Sequence, residues 1–197
     1  MSRSFRRRLC LIRRYSKGNT LLDAGCGAGD WLNYVSNKGF NAIGFDISDK
    51  AGKSTNCVVI KGAMCKVPIK GLYDVIICFH SLEHCENPVE ALTWLSKYLN
   101  DNGIILIEVP NCGSYDAIHY DILWDGWKLP FHLWHFNQDT LAKALSKTGF
   151  KIIEWRFDSS KWVREKIRKI PIISVFKGVL GHLKIGTGML DVAQKEH

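Results

Sequence analysis

Leu21-Leu22-Asp23-Ala24-Gly25-Cys26-Gly27-Ala28-Gly29-Asp30-Trp31 joins a short apolar strand to the start of a helix through three alternate glycines. Without a Cβ, the chain can turn sharply off the strand and bring backbone N–H groups close to a ligand. Asp23 adds a carboxylate at the strand end, and 17 residues beyond Gly29 a second strand closes on Gly44-Phe45-Asp46. An acid at that place is positioned to grip two ribose hydroxyls, and each such charge-assisted bond is worth about 1.5–3 kcal/mol. The stretch reads as a nucleoside-cofactor loop.

Dinucleotide sites favour G-x-G-x-x-G and set a pyrophosphate on the following helix N-terminus. Here the spacing is G-x-G-x-G, with Asp23 and Asp30 flanking the turn. Two acids would repel a pyrophosphate and attract a cation. S-adenosylmethionine, which carries an ammonium and a sulfonium, fits. A glycine trio alone is weak evidence, because a tight structural turn spells the same letters; joined to Asp23 and Asp46 it is far more specific.

Working outward, apolar strands near 20–24, 41–45, 57–60, 73–79 and 104–109 alternate with helical patterns, which predicts an α/β sheet with helices on both faces. Asp30 to Lys38 reads as a helix stopped by Gly39. Val89, Leu92, Leu95 and Leu99 give the next helix its buried stripe, with Pro88 in its first turn. A third helix runs from about Gln138 to Thr148, capped by Asn137 and stopped by Gly149. Two strands, Lys151 to Phe157 and about Thr187 to Gln194, complete the pattern.

The 197 residues, 46% hydrophobic, suit one domain over 1–197 with a sizeable core. Seven cysteines without a C-x-x-C read as reduced thiols of a cytoplasmic protein. The basic start, Arg3 to Arg14, lacks the apolar run of a secretory signal, and Ile170 to Ile185 is too short and too charged to span a bilayer. Of the net charge of +8, residues 1–17 supply seven basic and no acidic side chains, and 151–185 supply nine basic and three acidic ones. A mildly acidic body between basic ends points to a polyanionic neighbour.

At this point the chain resembles the class I S-adenosylmethionine-dependent methyltransferases, in the subgroup that includes the ubiquinone-biosynthesis O-methyltransferases. The matching pieces are Leu22 to Gly29, Gly44-Phe45-Asp46-Ile47-Ser48, Tyr73 to Cys78, Ser81-Leu82-Glu83-His84, Asn102 to Asn111 and His135-Phe136-Asn137 through Phe150. The resemblance implies a Rossmann-like, mostly parallel seven-stranded sheet whose last strand, 187–195, inserts antiparallel. It implies that Gly25, Cys26, Gly27 and Gly29 wrap the methionine part of the cofactor, with Asp23 near its ammonium. Asp46 would hold the ribose, Ile47 would pack on adenine, and Phe79 with His80 would border the methionyl group. Relatives usually read Gly-Asp where this chain has Gly62-Ala63, so the adenine is expected either to meet backbone groups around Ala63 and Met64 or to be held more weakly. The short link from Asp46 to the third strand leaves little room for a helix.

Methyl transfer from a sulfonium is an in-line displacement in which positioning supplies about 7–11 kcal/mol. A hydroxyl acceptor also needs a base, and histidine suits neutral pH; His80 ranks first, followed by His84 and His135, then His119 and His132. His80-Ser81-Leu82-Glu83-His84 matches the H-x-x-E-H letters of a zinc protease, with both histidines on one helical face. It follows a strand of a cofactor sheet, so it reads instead as a hydrogen-bonded cluster, and no metal ligand is assigned. The ubiquinone-type resemblance carries a lesser reading, a divalent ion at His80, Glu83 and His84.

Acceptor choice is expected from the insertion 111–136, which holds Tyr115, His119, Tyr120, Trp124, Trp127, Phe131 and Trp134, acting either as a lid or as a satellite core. The insertion 158–186 carries two amphipathic stripes with basic faces, and Phe5, Leu9 and Ile12 among arginines at 1–18 repeat that design. Such helices cap a sheet or join two copies, or lie on an anionic membrane. The leading expectation is methyl transfer to an oxygen of a small or lipid-linked molecule by a monomer or homodimer. The alternatives are a nucleic-acid methyltransferase, which lacks an Asn/Asp-Pro-Pro signature here, and a noncatalytic binding protein on the same fold.

Overall fold

A computed structural model describes residues 3–158 and 187–195. The seven strands are β1 (Thr20–Ala24), β2 (Asn41–Asp46), β3 (Val58–Lys61), β4 (Tyr73–Phe79), β5 (Leu99–Pro110), β6 (Phe150–Phe157) and β7 (Gly188–Lys195). They form one sheet in the order β3-β2-β1-β4-β5-β7-β6. All neighbours are parallel except β7, which runs antiparallel to both β5 and β6. The α/β fold and the inserted last strand therefore match the expectation.

Alternating side chains divide each central strand between two apolar layers. Leu22, Ile76, Cys78, Ile105 and Ile107 face α3 (Pro88–Ser96) and α5 (Gln138–Ser146), whose Leu92, Leu95, Leu141 and Leu145 fill that side. Leu21, Val75, Ile77, Ile104 and Leu106 face α1 (Arg3–Tyr15) and α2 (Asp30–Ser36) through Leu9, Ile12, Leu32 and Val35. Burial on both faces is what unbroken apolar strands require. The caps agree with the sequence: the Asn137 side chain accepts from the Thr140 N–H at 2.9 Å, and Thr140 Oγ1 accepts from the Asn137 N–H at 2.9 Å.

Two expectations change. Leu99 is not part of α3: the helix ends at Ser96, and Leu99 opens β5 opposite Tyr73. Asp74 accepts from the Asn100 side chain at 2.8 Å and holds that early part of the strand. Second, Leu82–His84 is a single 3₁₀ turn, so His80 and His84 do not share a helical face. The basic stripes expected over 158–186 lie outside the described residues. Between Asp46 and β3 there is no helix, as the short link suggested.

One feature of the core has no sequence precedent. Asp191 sits in β7 between Ile107 and Trp155, fully buried, and neither carboxylate oxygen has a hydrogen-bond partner among the described residues. Desolvation pushes its pKa well above the ordinary value. The fold therefore favours its neutral form, and folding stability is lost as pH rises above the unfolded-state pKa of about 4. Asp191→Leu is expected to gain about 1–3 kcal/mol at neutral pH in urea unfolding, and less near pH 4. An equal or lower stability at neutral pH would contradict an unpartnered buried carboxyl.

Candidate active site

In an open parallel sheet, ligands bind beyond the carboxyl ends of the strands where the order reverses; here that point lies between β1 and β4. The glycine turn sits on it. Gly25, Gly27 and Gly29 all have positive φ, at 85°, 54° and 92°. The Gly25 and Cys26 N–H groups donate to the Phe45 carbonyl at 2.9 and 3.0 Å, binding the turn to the end of β2. Asp46 closes the loop: its Oδ2 accepts from the Gly27 N–H at 2.8 Å and its Oδ1 from the Ser48 N–H at 2.7 Å. Each oxygen keeps a further lone pair for a ligand.

Asp23 is buried beneath this turn, and desolvation, opposed by Arg8 and reinforced by Asp46, pushes its pKa up to about 8. A ligand cation beside it would restore the ionised form. Ile47 is 70% exposed at the edge of the crevice, free to cover a flat ring. Ala63 offers no side-chain acceptor, and Met64 packs against the core beside Cys85.

Phe79 carries the Arg8 guanidinium 4.3 Å above its ring. Arg8 also makes a two-pronged contact with Glu108 on β5: Nε donates to Oε2 at 2.9 Å and Nη2 to Oε1 at 2.7 Å. His80, left-handed at φ 52°, places Nε2 at 3.2 Å from the same Glu108 and Nδ1 at 3.6 Å from Glu83. Those two carboxylates, Glu108 foremost, raise the His80 pKa to about 9. Burial alone would raise Glu108, yet the bonds from His80 and Arg8 hold it down to about 2. His80 is therefore an imidazolium at neutral pH and a donor, which argues against its first-ranked role as base.

A cavity of about 580 Å³ opens beside His80, lined among others by Glu83, His84, Tyr120, Trp124, Lys128 and His132. The insertion roofs it through α4 (Tyr115–Tyr120) and a following 3₁₀ turn. It is fastened to the β4 exit turn: the Leu133 N–H donates to the Glu83 carbonyl at 2.9 Å, and His84 Nδ1 meets the Phe131 carbonyl at 2.8 Å. Of its aromatic residues, Trp124 is buried, whereas Phe131 and Trp134 are 72% and 46% exposed. His135 lies away from the cavity lining, with Nε2 at 3.1 Å from the Trp127 carbonyl. His119 stacks on Tyr115. Neither arrangement marks a base.

Sequence reading missed Arg8 and Glu108, and it named His132 as a candidate base without placing it beside Glu83. Glu108 left a signal, an acid inside the apolar run Ile104 to Val109. Arg8 hides among six other basic residues at 1–17, and His132 reaches Glu83 only through tertiary folding.

The methyltransferase-domain family matches residues 3–154. An uncharacterized protein of Methanocaldococcus jannaschii is 30% identical over 158 residues, covering 77% of this chain and 61% of that one. A ubiquinone biosynthesis O-methyltransferase of Nitrosomonas europaea is 25% identical over 103 residues, or 47% of this chain and 44% of that one. The chain thus spans about half the length of curated relatives it matches. In structure, a SAM-dependent methyltransferase from Archaeoglobus fulgidus superimposes with a TM-score of 0.68 at 24% identity, covering 98% of this chain and 93% of that one. Magnesium protoporphyrin IX methyltransferase from Synechocystis, with bound SAH, gives 0.69 at 16% identity, covering 98% and 82%. This chain belongs to the methyltransferase-domain family, with the Rossmann-like sheet of class I S-adenosylmethionine-dependent enzymes.

The turn has little tolerance. A Cβ on Gly25 would stand 2.0 Å from Ser81 Oγ, in a φ that costs an L-residue about 1–2 kcal/mol. Gly25→Ala is expected to lower the melting temperature by several degrees, about 4 °C or more for this cost. Thermal denaturation unchanged within error would show that the turn is not constrained.

Proposed function

We propose that this chain transfers the methyl group of S-adenosylmethionine to an oxygen of a small or lipid-linked molecule. The observation that carries the reading is the junction of two compartments. The three-glycine turn with Asp23 and Asp46 lies at the strand-order reversal, and Phe79 and His80 separate it from a cavity large enough for an organic acceptor.

In this reading the Gly25–Gly29 backbone wraps the methionyl part, Asp23 faces the ammonium, and Asp46 takes the ribose hydroxyls. Ile47 covers the adenine, whose edge meets backbone at Ala63 and Met64. The cofactor supplies an already electrophilic methyl group, so the protein contributes alignment above all. His80 carries charge at the border, and the acceptor proton falls to the group formed by Glu83, His84 and His132, which converge on the cavity. Oxygen as the acceptor atom is supported by the O-methyltransferase relatives and by the polar cavity lining.

A lipid-linked acceptor agrees with the cavity's surroundings. Ile118, Ile122, Leu123, Leu129 and Phe131 of the insertion are all more than 70% exposed. Arg6, Arg7 and Arg13 are exposed on α1. Exposed apolar side chains suit a membrane interface, and exposed basic ones favour an anionic surface. Among the described residues no helix is long and apolar enough to cross one.

The direct test is transfer of labelled methyl from S-adenosylmethionine to a panel of hydroxylated aromatic and prenylated acceptors, with and without anionic vesicles. Label in an ether product supports the reading; label only in amine acceptors or RNA overturns the oxygen assignment. Loss of the Asp46 contacts in Asp46→Ala is expected to weaken binding of the demethylated product by about ten- to a hundredfold in calorimetry. Because Asp23 is held near 8, affinity for the ammonium-bearing cofactor should rise as pH goes from about 6 to about 8, with proton release on binding. Affinity flat with pH would remove Asp23 from the site.

A further inference from the structure

His80 is charged and stands between the two compartments, yet alignment of donor and acceptor gives it no task of its own. It leaves β4 directly after Phe79, and the next side chain, Ser81, puts its Oγ 3.5 Å from the Gly25 carbonyl of the glycine turn. On its other side it forms part of the acceptor cavity wall, with 52% of the side chain exposed. Glu108 fixes it at two points: the His80 N–H donates to the Glu108 carbonyl at 2.8 Å, and the ring Nε2 pairs with the Glu108 carboxylate at 3.2 Å. Arg8 in turn holds that carboxylate with two nitrogens.

An imidazolium has two N–H donors. Nε2 is spent on Glu108, whereas Nδ1 stands 3.6 Å from Glu83, beyond hydrogen-bond distance, with no nearer acceptor among the described residues. One charged donor is therefore left over where crevice and cavity meet. The charged and titratable groups around it come from every element near the ring: Arg8 of α1, Glu108 of β5, Glu83 and His84 of the turn that His80 opens, and His132 of the insertion. Glu108 is already matched by Arg8, and the two carboxylates, Glu108 foremost, keep the ring protonated at neutral pH. Asp116, Asp125 and Asp158 also line the cavity, so an anionic oxygen is held there only in contact with a cation.

We propose that His80 is a catalytic residue whose Nδ1 N–H binds the ionised oxygen of the acceptor, with Glu108 and Arg8 as the residues that position it. This role rests on the methyl-transfer reading and adds to it the group that holds the nucleophile. The acceptor's O–H proton passes to the cavity group named above, the oxygen lone pair forms the new C–O bond, and the C–S bond breaks with its electron pair on sulfur. His80 keeps both ring protons throughout, and the products are a neutral ether and a neutral thioether. An opposite charge in contact strengthens an acid by about ten- to a thousandfold. That brings a phenol, whose ordinary pKa is about 10, toward neutral pH, and it leaves an alkyl alcohol, close to water's value of about 15.7, un-ionised. A phenol is therefore the suitable probe.

The test uses 4-nitrophenol, whose ionised form alone absorbs at long wavelength, with S-adenosylhomocysteine in excess and a chelator present to exclude metal ions. Absorbance titrations at several pH values between about 6 and about 8, where His80 stays charged, separate binding of the ionised form from binding of the neutral one. The ionised form is expected to bind at least about tenfold more tightly. His80→Gln, which keeps a donor without the charge, is expected to remove that preference. Equal binding of the two forms, binding of the neutral form alone, or no binding of the ionised form at millimolar concentration would overturn the role. A preference kept in His80→Gln and lost in Lys128→Gln would also overturn it, by placing the anion on the lysine that lines the same cavity. Probe binding needs no turnover, so the two readings fail separately. Phenolate preference without labelled methyl in any product supports the role of His80 and speaks against methyl transfer, whereas methyl transfer without the preference overturns the role of His80.

Discussion

Glu108 is the charge on which the geometry of both compartments turns. It stands near the carboxyl end of β5, inside an otherwise apolar strand, and a carboxylate there is tolerated only if it is fully engaged. Arg8 engages it with two nitrogens from α1, and His80 engages it from the exit of β4. Removing one partner from such a pair typically costs about 3–5 kcal/mol, because the other charge stays buried. The contact therefore docks the N-terminal helix against the cofactor crevice. It also holds His80 in a left-handed backbone that the residue would otherwise avoid.

The consequence is a division of labour along the sheet edge. On the β1 and β2 side, the groups are acids and backbone donors: Asp23, Asp46 and the glycine turn, suited to a ligand with a cation and a diol. On the β5 and β7 side lie the cavity and its imidazoles. The protonated His80 and the Arg8-covered Phe79 stand between them. The charged His80 at that border is a hydrogen-bond donor, and Glu83 lines the cavity beside it.

The fold is legible in the sequence because its determinants are local. Seven apolar runs, the glycine turn and the Asn137 and Gly149 helix boundaries each announce themselves within a few residues. Boundaries erred where tertiary pairing overrode periodicity: Leu99 continues the stripe of α3 but pairs with Tyr73 as strand. The site was legible only on its cofactor side, where Asp23, the glycines and Asp46 lie on two adjacent strands. On the acceptor side the decisive contacts join residues far apart in the chain, Arg8 to Glu108 and Glu83 to His132, and no spacing encodes them. His80 shows the limit most clearly, because its neighbours in space, not in sequence, decide its protonation.

The β1–β4 crevice is expected to hold S-adenosylmethionine in the orientation set by the two acids. A crystal structure of the chain with S-adenosylhomocysteine tests it directly. The expected result is density across the Gly25–Gly29 turn, with the ribose hydroxyls on Asp46, the amino group toward Asp23 and the sulfur facing the cavity beside His80. Ligand density elsewhere, or a ribose that bypasses Asp46, would contradict it.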